Sequence, residues 1–83
     1  MNPNSIYEEL AAALRDRLSV IRDTAWRERD PAGQLARLQQ VSESIVDLQR
    51  RLPAPVDPRL AHFLERCSYD KALAWIEDSL ATR

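Results

Sequence analysis

The segment Glu28-Arg29-Asp30-Pro31-Ala32 separates two long stretches in which apolar residues recur at helical spacing. A residue that precedes proline is disfavoured in the α-helical conformation, so the first stretch is expected to end at Asp30. Aspartate is also a preferred N-cap residue, and proline is favoured at the first position of a helix. The segment therefore predicts two consecutive helices joined by a very short connection, which makes them antiparallel neighbours.

The stretch before Asp30 has the pattern of one amphipathic helix. Ser5 and Glu8 match a capping box, which predicts that the helix begins there. Neither glycine nor proline interrupts the chain between Ser5 and Asp30, so we expect one helix over about residues 5–29. The apolar residues that lie along one side of this helix, and should face the core, are Ile6, Leu10, Ala13, Leu14, Leu18, Ile21 and Ala25.

The stretch after Asp30 predicts a second helix over about residues 31–52. Its large apolar residues are spaced alternately by three and four positions, which produces a narrow packing seam. The seam covers only two heptads, and a sustained coiled coil needs three or four, so a helix of a bundle is the better interpretation. The residues of this seam are Leu38, Val41, Ile45, Leu48 and Leu52.

The last third of the chain predicts a loop and two short helices. Three prolines within residues 53–58 exclude a helix there, and Asp57-Pro58 repeats the helix-start signal. Two apolar sets with helical spacing follow, over about residues 58–67 and 69–81. The first set is Leu60, Phe63, Leu64 and Cys67, and the second is Tyr69, Leu73, Ile76 and Leu80.

The two apolar sets would point about 180° apart if residues 58–81 formed one straight helix. Either the helix breaks near Cys67-Ser68, with Ser68 as a new N-cap, or a second chain covers the other face; we favour the break. The sequence therefore predicts an all-α fold, a single domain over residues 1–83. Two long antiparallel helices would form a small bundle with two short ones.

Composition and charge exclude several classes of function. The chain has 83 residues, with 12 Lys and Arg balancing 13 Asp and Glu, so no overall field attracts nucleic acid or anionic lipid. A single glycine disfavours a glycine-rich phosphate loop. One cysteine forms no internal disulfide, and no apolar run has the length of a membrane span, so we expect a cytoplasmic protein without a membrane partner.

The chemically reactive side chains do not combine into a catalytic or metal site. His62 is the only histidine and should be exposed, and Cys67 is expected to be a buried structural residue on its apolar stripe. Structural or catalytic zinc needs three or four ligands, which these two residues do not supply. The Ser68-to-Lys71 spacing matches an acyl-enzyme motif, but the other motifs of that chemistry are missing. We expect no enzymatic activity, no cofactor and no metal.

The two tryptophans are the main candidates for a functional surface. Trp26 lies about 150° from the apolar stripe of its helix, and Trp75 lies about 140° from its own. Arg15, Arg22 and Arg29 recur at seven-residue intervals, so one helix would present a ridge of guanidinium groups beside Trp26. Tryptophan is enriched at protein interfaces. The alternative is that Arg22 and Arg29 merely stack on an exposed indole.

The function predicted from these features is that of a small, non-enzymatic protein–protein interaction module, which self-associates as a homodimer. The alternative is a monomeric adaptor or regulatory subunit that docks on a larger protein. A more remote alternative is contact with phosphate or nucleic acid through the ridge of Arg15, Arg22 and Arg29.

Overall fold

The computed structural model describes residues 3–81, and all regular secondary structure in this range is helical. The predicted all-α class is therefore confirmed, although the described range contains five helices instead of four. None of them has the combination of length and apolarity that a membrane span requires. The helices are α1 (Pro3–Arg22), α2 (Thr24–Arg29), α3 (Pro31–Arg50), α4 (Pro58–Glu65) and α5 (Tyr69–Ala81).

The helix expected over residues 5–29 is divided in two at Asp23, which is not helical. The Asp23 carboxylate accepts a hydrogen bond from the Trp26 backbone N–H at 2.9 Å, so this residue caps α2 instead of continuing α1. Ala25 consequently leaves the apolar stripe and is exposed. At its other end, α1 begins two residues before Ser5, so Ser5 and Glu8 lie within the helix and do not form its start as predicted.

The two aspartate–proline pairs start helices as predicted. The Asp30 carboxylate accepts from the Gly33 N–H at 3.0 Å, and the Asp57 carboxylate accepts from the Arg59 N–H at 2.9 Å. The Asp30 N–H also donates to the Trp26 carbonyl oxygen at 2.7 Å, so one residue ends α2 and begins α3. A Cβ atom at Gly33 would overlap the Asp30 carboxylate, which explains why a glycine stands at this helical position.

The predicted break between the two C-terminal helices is confirmed. Cys67 adopts a left-handed conformation with φ of 56°. Its N–H bonds to the Leu64 carbonyl at 3.1 Å, and the Ser68 N–H bonds to the Phe63 carbonyl at 2.8 Å, which together form a Schellman motif. The Ser68 carbonyl then accepts from the Ala72 N–H at 2.9 Å, so Ser68 is the N-cap of α5.

The core forms where α1, α3, α4 and α5 meet. α1 is the central helix, since it packs on α3 on one side and on α5 on the other, while α4 packs on α5. α2 packs on α3 and contributes no buried residue. The largest fully buried side chains are Leu10, Leu14, Ile45, Leu60 and Ile76. Ala11, which the sequence pattern did not include, is also fully buried.

Candidate interaction surface

The two tryptophans occupy different environments. Trp75 is half-buried and packs against the hydrophobic core, in contrast to the expectation that it lies beyond the reach of the interior. Trp26 is also half-buried, but it lies on α2, outside the core cluster, at the end of the bundle where α1 leads into α3. Of the two tryptophans, Trp26 is therefore the one that lies outside the core, on a helix without buried residues.

The ridge of three arginines is not continuous. Arg15 and Arg22 lie on α1, whereas Arg29 lies on α2, and the non-helical Asp23 interrupts the seven-residue spacing between them. The Arg15 guanidinium binds the Glu77 carboxylate of α5 at 3.2 Å, with both side chains about half exposed. Of the three arginines, Arg15 is the one with an ion pair in the described part of the chain.

The arginine–aromatic contact in the described part of the chain involves other residues than expected. The Arg17 guanidinium carbon lies 4.8 Å from the centroid of the Tyr69 ring, while neither Arg22 nor Arg29 stacks on Trp26 there. Burial raises the pKa of the Tyr69 hydroxyl above its usual value. A hydrogen bond with Cys67 and the charge of Cys67 raise this pKa further, whereas the positive charge of Arg17 lowers it. This contact ties the start of α5 to α1.

One side of α3 lies open beside the core seam, next to a depression to which Glu43, Asp47 and Arg50 contribute charged side chains. We define the α3 edge as Leu35, Gln39, Ser42 and Val46, whose spacing of four, three and four places them on one side of the helix. Leu35 is 56% exposed and Val46 is 40% exposed; they are the large hydrophobic side chains left exposed in the described range. α3 packs chiefly on α1 and α2, and this leaves the edge open.

A groove of about 290 Å³ opens beside Leu35, where α1, α2 and α3 meet. Apolar side chains, among them Ile21, Pro31 and Leu38, supply most of its lining. Arg27 is the one charged residue in this lining, and its Nη2 donates to the Ile21 carbonyl at 2.6 Å. Because this carbonyl lies at the C-terminal end of α1, the helix dipole favours the cation at this place in the lining.

Gln34 forms the polar wall of the groove and holds the helix break in place. Its side chain is buried, and Nε2 donates to the Val20 carbonyl at 2.7 Å and to the Asp23 carbonyl at 3.0 Å. Each of these carbonyls also accepts a backbone hydrogen bond, that of Val20 from the Asp23 N–H at 3.3 Å and that of Asp23 from the Arg27 N–H at 3.2 Å. Gln34 thus adds from α3 a second donor to each carbonyl at the joint between α1 and α2.

The prediction that Cys67 is a buried core residue is wrong. Because α4 ends at Glu65, the seven-residue spacing from Leu60 no longer places Cys67 on the apolar stripe, and its side chain is exposed. His62 is exposed, as predicted, and its ring lies 6.2 Å from that of Phe63. Across residues 3–81, no group of three or more His, Cys, Asp or Glu side chains is arranged to hold a metal ion.

Replacing Cys67 with glycine is expected to raise the free energy of unfolding by about 1 kcal/mol. A left-handed residue with a Cβ atom costs about 1–2 kcal/mol, and glycine avoids this cost while losing some chain entropy on folding. Urea denaturation followed by circular dichroism measures the change. Cys67→Ala is the control, since it keeps the strained backbone; equal stability of both variants would contradict the explanation.

Comparison of the chain with protein-family models, with curated proteins and with solved structures yields no match. The chemistry of the surface is therefore the basis on which a function is inferred. Leu35 and Val46 are the members of this surface that the sequence reasoning missed, although their helical spacing is visible in the sequence.

Proposed function

We propose that this protein is a small, non-enzymatic interaction module that self-associates as a homodimer. The observation that carries the proposal is that Leu35 and Val46 are both exposed on the same side of α3, with an apolar groove beside Leu35. Exposed apolar side chains that share a surface are typical of protein interfaces, whereas singly scattered ones need no explanation. A cytoplasmic location belongs to the proposal, because a lone cysteine provides no disulfide framework.

The small size of the domain supports self-association. A chain of 83 residues buries only about 60–65% of the surface that its unfolded form exposes, so its core supplies limited stability. Small domains commonly add a disulfide, a metal or a second subunit to compensate. A dimer that covers the α3 edge would remove Leu35 and Val46 from water and stabilise the fold in proportion to the apolar area buried.

Light scattering coupled to size-exclusion chromatography tests the proposal. The molar mass should rise from the 9.5 kDa of one chain toward twice that value as the protein concentration is increased. Association at the α3 edge would produce this concentration dependence, because the equilibrium follows mass action. A constant mass of 9.5 kDa up to millimolar concentration would contradict self-association and favour the monomeric adaptor that docks on a larger protein.

Replacing Leu35 with glutamate is expected to weaken the dimer at least about tenfold, which corresponds to about 1.4 kcal/mol. Leu35 is 56% exposed in the single chain, so the fold should tolerate the change, while a desolvated carboxylate at an apolar interface is costly. Sedimentation equilibrium measures the dissociation constant.

Gln40→Glu provides a matched control for Leu35→Glu. Gln40 is exposed on α3 but points away from the α3 edge, so this variant introduces the same charge on the same helix without touching the edge. Its dissociation constant should stay near that of the original chain. Equal weakening by both variants would indicate a general charge effect and would remove Leu35 from the interface.

A further inference from the structure

Within the described range, three helices begin at an aspartate N-cap, and one of the three lacks the proline that follows in the other two. Asp30 and Asp57 each precede a proline, which excludes a helix that continues through them. Asp23 precedes Thr24 instead, and residues 4–29 contain neither glycine nor proline. The chain is therefore free to form either the bent pair of α1 and α2 or one straight helix over this stretch.

The hydrogen bonds that hold the bend are nearly matched by those that a straight helix would form. The Asp23 carboxylate accepts from the Trp26 N–H, and Gln34 donates two bonds to the joint. Arg27 adds a bond to the Ile21 carbonyl. A straight helix would give up these bonds and would pair the first three N–H groups of α2 with carbonyls of α1 four positions earlier. The two arrangements thus differ by about one hydrogen bond.

We infer that Asp23 is a two-state joint, and that its straight state exchanges α1 between two copies of this chain. The turns at Asp23 and Asp30 together bring α3 back against α1 of the same chain. With the first turn straightened, α3 no longer reaches that helix. α2 does not oppose the movement through its own packing, because it contributes no buried residue.

The occupant of the opened core is a second copy, because the two surfaces already fit each other within one chain. Straightening exposes the face of α1 that carries Leu10, Ala11 and Leu14, all fully buried in the closed chain. α1 of the other copy presents the same face, so it re-forms the contacts with α3 and α5 in the place of the departed helix. The exchange does not involve the α3 edge and stands apart from the association proposed through it.

Exchange requires α1 to leave the core, so an exchanged dimer should form and separate slowly. Opening of a core helix approaches global unfolding in its cost, whereas two surfaces that merely touch separate without it. An exchanged dimer formed during refolding at high concentration should therefore persist after dilution. A dimer that pairs only through the α3 edge should dissociate at once.

Two substitutions should shift the joint in opposite directions. Thr24→Pro excludes the straight helix, and the bend should accept it, since Asp23 has a ψ of 84°, close to the 75° of Asp30 before its own proline. Gln34→Ala removes two of the bonds that hold the bend. Thr24→Ala and Gln40→Ala are the matched controls, because both positions are exposed and alanine permits either state.

Each variant is unfolded in urea, refolded at high concentration, diluted, and analysed immediately by size-exclusion chromatography with light scattering. Gln34→Ala should leave at least about tenfold more persistent dimer than Gln40→Ala, and Thr24→Pro at least about tenfold less than Thr24→Ala. Equal amounts within either pair would overturn the two-state joint and leave association through the α3 edge standing. If circular dichroism shows that Thr24→Pro does not fold, the glutamine pair alone decides.

Crosslinking of the persistent dimer tests the exchange itself. Asp16 of α1 and Arg37 of α3 form an ion pair, so a short bismaleimide should join cysteines at these positions in a Cys67→Ala background. In an exchanged dimer the link connects two chains, which run as a covalent dimer on a denaturing gel. Links confined to single chains would overturn the exchange, because each α1 would then still lie on its own α3.

Discussion

Replacing Gln34 with glutamate is expected to lower the free energy of unfolding by about 3 kcal/mol. The Gln34 side chain is 7% exposed, and its amide nitrogen donates to the carbonyls of Val20 and Asp23. Glutamate presents an oxygen at that place, so an acceptor would face two acceptors. The variant thus loses two hydrogen bonds and also confines a charge at a site from which water is largely excluded.

Urea denaturation, followed by helical circular dichroism, measures this loss. Gln34→Leu should cost about 1–2 kcal/mol, since it removes the two hydrogen bonds without adding a charge. Gln40→Glu, on the exposed side of α3, should change stability by no more than about 0.5 kcal/mol. If Gln34→Glu were as stable as Gln40→Glu, the two hydrogen bonds from Gln34 would have no part in holding the end of α1.

Replacing Ile45 with alanine is expected to cost about 3–4 kcal/mol, because the side chain is fully buried where α3 meets the core. The change removes buried apolar surface and leaves a cavity, and both effects lower the stability. In a small domain with a total stability of several kcal/mol, this loss is enough to populate the unfolded chain at room temperature.

Val46→Ala is the matched control for Ile45→Ala. Val46 follows Ile45 on the same helix, but its side chain is 40% exposed, so truncation should cost less than about 1 kcal/mol. Thermal and urea unfolding at low protein concentration, where the chain is monomeric, measure both variants. Similar losses at the two positions would show that the buried face of α3 is assigned incorrectly.

The helix starts and the last helix break were predictable because each depends on local chemistry. Asp30 and Asp57 each precede a proline, and both cap the helix that follows. The break at Ser68 followed from the opposed directions of the two apolar sets, since a single core does not cover both sides of one straight helix. Such constraints act within a few residues and are visible in the sequence.

The break at Asp23 was missed because a good cap residue also occurs inside helices. At the break, Asp23 caps α2, and Gln34 of a different helix donates to the carbonyls of Val20 and Asp23. One signal was present: Gln34 continues the seam of α3 by four positions before Leu38, so a buried side chain was foreseeable there. The two carbonyls to which the Gln34 side chain donates were not foreseeable, because tertiary packing brings them to it.

The candidate surface was only partly predictable for the same reason. Helical spacing gives the direction of a side chain relative to its own helix, but not which neighbouring helix covers it. Trp75 points away from the apolar stripe of α5 and still packs against the core. Leu35 lies beside the core seam of α3 and stays exposed, because α3 packs chiefly on α1 and α2.

Asp30 closes α2 and opens α3, so one residue forms the whole joint between these helices. A joint of one residue has a single φ and a single ψ to vary, and hydrogen bonds on both of its sides hold these angles. α2 and α3 are consequently held at one angle. This angle fixes where the Trp26 indole of α2 stands relative to α3, outside the core cluster.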